Sequence, residues 1–325
     1  MTTALPHPTA KRGSRASDSD PNFFLGGRLD AIELVRVVAA CGVAWFHVPG
    51  GPYKAQGYAG LACFILIAIV FQAAGAEREP IGTYFKKRAA RILCPWLFWF
   101  AFYGLFNLAK GKQVFPHSEG LISNLLTGPW VGLWFMPFIL LTSVPVFFLA
   151  RVSRKGHAAI LAGIFLAIGM AQLVLTARAQ NAWKMDEPWA QWLQASSAIP
   201  IGLSIYFVLR LRNQQRTIGM LAIVMATAAV CATLLDTNHG MAISYGIAML
   251  AVCGGFLFPQ GYLPLAPRLG ALCLGVYMVH AAVISVLKQS PFFAQLPALL
   301  CAAVLAISFA GVSLARRNHL LARVL

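Results

Sequence analysis

The chain has 325 residues, 59% of them hydrophobic and only 11% charged, where an average soluble domain carries about 25% charged residues. Mean hydropathy is +0.70, and 26 Lys and Arg against 10 Asp and Glu give a net charge of +16. This balance excludes a soluble two-domain enzyme and, with no nucleic-acid motif present, a nucleic-acid partner; the expected class is all-α, a polytopic integral membrane bundle.

Residues 1–27 are polar and rich in Ser, Pro, Lys and Arg. They lack the pattern of a secretory signal and read as a disordered basic cytoplasmic tail. Ten candidate spans of about 17–22 residues follow, each long enough for a ~30 Å hydrocarbon core. The first covers 31–48, within GGRLDAIELVRVVAACGVAWFHV. Arg36 and His47 lie eleven residues apart in it, close to three helical turns, so they share one face about 16 Å apart along the axis. Glu33 falls on the same stripe, three residues before Arg36. Ionisable groups are costly in a bilayer and mark a cavity, an ion pair or a functional site. Arg36 suits either an ion pair with Glu33 that fixes packing or a functional charge. His47 suits either a structural bond to a neighbouring helix or proton transfer, since its ordinary pKa lies near neutrality.

The second span, at 57–75, is the weakest of the ten because it is short and carries Gln72. The third, at 92–109, follows the basic segment TYFKKRAARILCPWLFWF, in which Arg88 and Arg91 are three apart and Lys86 and Lys87 extend the cluster. That cluster fits an anchor to anionic lipid head groups. It fits phosphate recognition too, by guanidinium forks helped by N–H groups at a helix start. The fourth span, at 131–150, opens on GLWFMPFIL with Trp134. Spans at 157–176 and 190–209 come next. Asp186, Glu187, Trp183, Trp189 and Trp192 gather before the sixth, as an interfacial aromatic cluster or a sugar-binding group. The seventh and eighth, at 217–235 and 241–258, are joined by a tight DTNHG turn. The ninth, at 269–287, carries Tyr277 three residues before His280, and the tenth covers 294–314. Residues 316–325 form a short basic cytoplasmic tail.

With the N-terminus in the cytoplasm, nineteen Lys and Arg fall on inner segments and six on outer ones, Arg36 completing the set. This is a strong positive-inside bias and places both termini in the cytoplasm. It accounts for the net charge without an acidic partner other than membrane lipids. The seven cysteines lie in or beside the spans without metal-ligand spacing, so they read as apolar packing residues and no metal is expected.

A family resemblance rests on four blocks. An acidic residue, a basic residue three later, ten residues and a histidine (Glu33, Arg36, His47) resemble the first span of the acyltransferase 3 family of polytopic membrane O-acyltransferases, which more often has Asp at the first position. Arg88 and Arg91 leading into Pro95 and Trp96 resemble its basic segment and third span. GLWFMPFIL (Gly132 to Leu140) and CLGVYMVHAAVI (Cys273 to Ile284) resemble its fourth and late spans. One departure is CFILIAIVF in the second span, with Ala68 and Ile69 where the family often has Ser-Gly. The resemblance covers roughly residues 28–315, a single transmembrane domain, without the hydrolase-like C-terminal domain of some relatives.

The resemblance implies a multi-pass protein of a bacterial inner membrane. Its activity would move an acyl group, most often acetyl, from cytoplasmic acyl-CoA to a hydroxyl of an exopolysaccharide, lipid-linked or cell-surface glycan. His47 would be catalytic, as general base or through an acyl-histidine, together with Arg36 and Glu33. Arg88, Arg91 and Arg36 would bind the donor, which is a substrate rather than a resident cofactor. Trp134, Tyr277 and His280 are weaker acceptor-binding candidates. The acceptor sugar and the oligomeric state are not specified. A transporter or flippase of glycan or lipid suits the intramembrane charges and the ten spans as well, although no internal repeat is evident.

Overall fold

A computed structural model describes residues 29–115, 120–152, 157–182, 185–258 and 263–325. The 1–27 tail, Trp183, and the tallied basic residues Arg28, Arg154, Lys155 and Lys184 lie outside them. The regular structure of the described residues is helical: α1 Asp30–His47, α2 Lys54–Arg78, α3 Ile81–Ala109, α4 Leu121–Thr127, α5 Phe135–Arg151, α6 Ala158–Ala182, α7 Trp189–Ser196, α8 Ala198–Leu209, α9 Asn213–Leu234, α10 His239–Leu257, α11 Ala266–Gly270, α12 Cys273–Leu287, α13 Pro291–Ala294 and α14 Pro297–Ala315. Eight helical segments are long and apolar enough to cross a membrane: Lys54–Arg78, Ile81–Ala109, Val131–Arg151, Ala158–Gln180, Trp189–Leu209, Asn213–Leu234, His239–Leu257 and Pro297–Ala315. The molecule is thus a polytopic membrane helical bundle. Helices α1 and α12 fall outside this group. The first carries Asp30, Glu33 and Arg36 within 18 residues, and the second has 15 residues.

Burial sorts the helices into inner and outer ones. The apolar window of α2 is 78% buried and that of α6 only 17%. The segment expected to be the weakest span is therefore the most enclosed of the eight. It extends to 25 residues and packs against α1, α5, α8 and α10. Its polar residue is accommodated from within, because Gln72 Nε2 donates to the Ile139 carbonyl at 2.9 Å. A helix apolar on every side belongs at the centre of a bundle. Outer helices instead present Ile160, Ile164, Ile168, Ile218, Leu221 and Met225 outward, which suits lipid.

Helices α1 and α2 approach closely through small residues. A Cβ on Gly57 would lie 2.7 Å from the Gly42 carbonyl oxygen, and one on Gly42 would lie 2.9 Å from that of Gly57. Membrane helices associate through van der Waals packing of such residues rather than through hydrophobic exclusion. The Ser-Gly departure falls further along α2. There Ala68 lines a cavity, while Ile69 is fully buried and covers Gly202 of α8.

Two boundaries differ from expectation. Helix α3 starts at Ile81, not near 92, so Arg88 and Arg91 lie in its interior. Only the first four N–H groups of a helix are free, so the expected contribution of a helix start at these arginines is absent. The ninth span is broken into α11 and α12 between Gly270 and Cys273. The space a side chain at Gly270 would take is filled by the Glu33 carboxylate. The DTNHG turn behaves as expected, with Asn238 capping α10 by accepting from Met241 N–H at 3.1 Å.

Candidate active site

Two cavities open inside the bundle and share one wall residue, Tyr277. The first has a volume of about 640 Å³ and gathers the arginines. Glu33 and Arg36 reach it from α1, Arg78 from the end of α2, and Arg88 and Arg91 from α3. Arg36 Nη1 meets Glu33 Oε2 at 2.8 Å, an i,i+3 ion pair along one helix face. Arg88 donates from Nη2 to the Phe71 carbonyl at 3.1 Å, and its guanidinium lies 5.2 Å from the Tyr84 ring centre. These contacts hold the fork while leaving it on the cavity wall.

The basic cluster of the sequence divides here. Lys86 and Lys87 are exposed and do not line the cavity. Lys87 turns to Glu79 in the α2–α3 turn, Nζ to Oε1 2.6 Å. The hydrogen bond from Lys87 holds the Glu79 carboxyl below its usual range, with Arg88 and Arg91 adding to the effect. Three charged or amide side chains beyond the expected set line this cavity, the Glu79 carboxylate among them. Arg78 adds a further guanidinium, and Gln72 adds a buried Oε1 without a hydrogen-bond partner. Gln72 stood out in the sequence only as a polar interruption, and that interruption was the signal.

The second cavity has a volume of about 520 Å³ and is lined by His47, Tyr58, Trp134, Glu187, Gln194 and Tyr277, among others. His47 is the last residue of α1, so the eleven-residue stripe connects the two cavities, Arg36 in one and His47 in the other. The Tyr277 hydroxyl donates to the Gly132 carbonyl at 2.8 Å, which pins the shared ring between them. Trp134 comes from the 3₁₀ turn Val131–Trp134 ahead of α5.

His280 lines neither cavity. It is 1% exposed and stands behind His47, with ring centres 5.2 Å apart. Its Nδ1 lies 2.6 Å from the Tyr277 carbonyl oxygen. A carbonyl only accepts, so this nitrogen carries the proton and Nε2 keeps its lone pair. Nε2 is buried without a partner. Trp130, which the sequence did not single out, joins these groups. Its ring centre lies 6.1 Å from His47, 5.5 Å from His280, 5.9 Å from Tyr277 and 5.0 Å from Tyr103. The signal was the Gly-Pro-Trp step at 128–130, where Gly132 leaves room for the indole to fold back over its own chain. Of the loop before the sixth span, Glu187 lines the His47 cavity, while Trp189 and Trp192 pack on each other at 5.6 Å.

The arrangement sets an arginine-rich chamber, suited to a polyanion, against a chamber walled by a histidine, amides and aromatic rings, suited to an uncharged polar molecule whose proton is taken up. Compared with known protein families, the chain matches the model described as Acyltransferase domain, of the acyltransferase 3 family, over residues 29–316. No curated protein and no solved structure matches it. The chain belongs to the acyltransferase 3 family and is a membrane acyltransferase.

Proposed function

We propose that the protein is an O-acyltransferase of the bacterial inner membrane that moves an acyl group, most often acetyl, from cytoplasmic acyl-CoA to a hydroxyl of a glycan on the other side. The observation that carries this reading is the pair of cavities sharing Tyr277, one holding Arg36, Arg88 and Arg91 and the other holding His47. The positive-inside bias supports placing the arginine cavity on the cytoplasmic side, with both termini.

Arg88 and Arg91, joined by Arg78, hold the phosphates of the donor as charge-assisted bonds. Arg36, kept in place by Glu33, stands beside the incoming thioester. In the other cavity His47 takes the proton of the acceptor hydroxyl as its oxygen attacks the thioester carbonyl. The C–S bond breaks, and His47 passes that proton to the departing thiolate as coenzyme A leaves. The products are the glycan ester and free coenzyme A. Two chambers fit this division of labour, because the donor is charged and soluble on one side and the acceptor is met on the other. The acceptor is an exopolysaccharide, a lipid-linked sugar or a surface glycan.

The test is the ester-linked acyl content of envelope and secreted glycans in cells carrying the wild-type chain or His47→Ala at matched membrane abundance. General acid–base groups are worth about 10²–10⁴-fold in rate, so the esters are expected to vanish in the variant. Equal esters in both strains would remove His47 as the base. Altered glycan export with unchanged esters on deletion would point to transport instead.

A further inference from the structure

The His47 cavity carries more polar chemistry than proton transfer needs. Tyr58 reaches it from α2, Gln180 from α6, Glu187 from the loop before α7, Gln191 and Gln194 from α7, and Asn238 from the cap of α10. Several of these are tied to one another. Tyr58 donates to Gln194 Oε1 at 3.2 Å, Asn238 Nδ2 to Gln180 Oε1 at 3.2 Å, and Gln191 Nε2 to Glu187 Oε1 at 2.9 Å. The last pair leaves two oxygens over. Glu187 Oε2 and Gln191 Oε1 are both buried and both without a hydrogen-bond donor. A buried acceptor left unmade is costly, and a carboxylate oxygen more so. Two such atoms, on side chains that line the cavity, call for O–H donors from an occupant.

The charge of the wall narrows the occupant. Among the described residues no lysine or arginine lines this cavity, and Glu187 is its one carboxylate. Lys54, next to the lining Ala55, is exposed and not part of the wall. A carboxylate or phosphate brought here would meet Glu187 with no cation among the described wall residues to offset it. Phe46, Trp134 and Tyr277 add flat apolar surface, which the C–H faces of a sugar ring can cover.

We infer that this cavity binds the acceptor as a hydroxyl-rich ring without negative charge, its hydroxyls donating to Glu187 Oε2 and Gln191 Oε1, and that the same carboxylate rejects uronate or phosphate-bearing rings. The inference rests on the acyltransferase reading above. It adds a selectivity that the arginine cavity and His47 do not determine.

The full chain in lipid nanodiscs, with acetyl-CoA as donor, is offered matched octyl glycosides: the glucoside, galactoside and mannoside against the corresponding uronides. Acceptor-dependent release of coenzyme A thiol is followed, and acetyl-CoA affinity is measured separately by calorimetry. The neutral series is expected to exceed the uronides in kcat/KM by on the order of 100-fold, from like-charge repulsion. Gln191→Leu is expected to raise KM for the neutral acceptor by about 10-fold through the lost hydrogen bond, and Glu187→Gln to narrow the gap between the two series. Uronides turned over as fast as neutral glycosides, or neither series turned over while acetyl-CoA binds, would overturn the acceptor assignment and leave the donor reading standing. Loss of acetyl-CoA binding by the wild-type chain would instead remove the acyltransferase reading on which it rests.

Discussion

At the scale of single residues, neighbouring side chains of one charge have different surroundings. Lys86 and Arg88 are two apart in sequence, yet Arg88 lies on the cavity wall and Lys86 is exposed away from it. Arg88→Ala is therefore expected to raise KM for acyl-CoA by about 10–100-fold, the worth of one charge-assisted bond, whereas Lys86→Ala leaves it unchanged. Steady-state kinetics with varied acyl-CoA checks both; equal effects would return the cluster to a lipid anchor. His280 makes a second case. Its Nε2 is buried without a hydrogen-bond partner and its ring centre lies 5.2 Å from that of His47, so it packs behind His47 and lines neither cavity. His280→Ala is expected to lower kcat by roughly 10-fold with KM for acyl-CoA unchanged. A rise in KM with kcat intact would place His280 in donor binding instead.

At the scale of elements, close helix approach sets the site. Helix α1 carries Glu33, Arg36 and His47, and its position is fixed by glycines of α1 and α2 facing each other. Gly57→Val would drive its side chain against the Gly42 carbonyl. Overpacking of this kind costs about 1–3 kcal/mol, and it separates the helix that holds the candidate base from the central helix of the bundle. A lower thermal unfolding midpoint in detergent, together with reduced acyl transfer, is the expected outcome. An unchanged midpoint would show that the two helices slip freely. Gly270 plays the related part for Glu33, whose carboxylate fills the place of the missing side chain.

At the scale of the whole molecule, the inner and outer positions of the helices follow from what each must face. The central α2 is shielded by its neighbours, while α6 shows most of its surface outward. The two cavities divide the interior, and the positive-inside bias predicts which of them faces the cytoplasm. In a cysteine-free background, Gln289→Cys after α12 is expected to react with a membrane-impermeant maleimide in intact cells. Asn213→Cys at the start of α9 is expected to react only after lysis. The reverse pattern would place the arginine cavity outside and sink the cytoplasmic donor.

Much of this was legible from residues alone, because a bilayer imposes simple demands. Long apolar runs had to be helices, since backbone groups have no water to bond in lipid, and the ionisable stripe of Glu33, Arg36 and His47 had to face protein. The position of α2 was not legible. Hydropathy treats Gln72 as a penalty, whereas the fold supplies the Ile139 carbonyl from a helix 67 residues away. Trp130 and Gln191 were equally hidden as members of the site, and Glu187 stood out only in a cluster that suited an interface or a sugar, because aromatic and polar residues near span ends look alike whether they meet lipid head groups or a cavity. Sequence by itself determined the membrane bundle and singled out the candidate residues of α1 and α3, through composition and local helical spacing. Only the tertiary structure decided that the arginines and His47 occupy separate chambers sharing Tyr277, because packing between distant helices, not local periodicity, determines what a side chain faces.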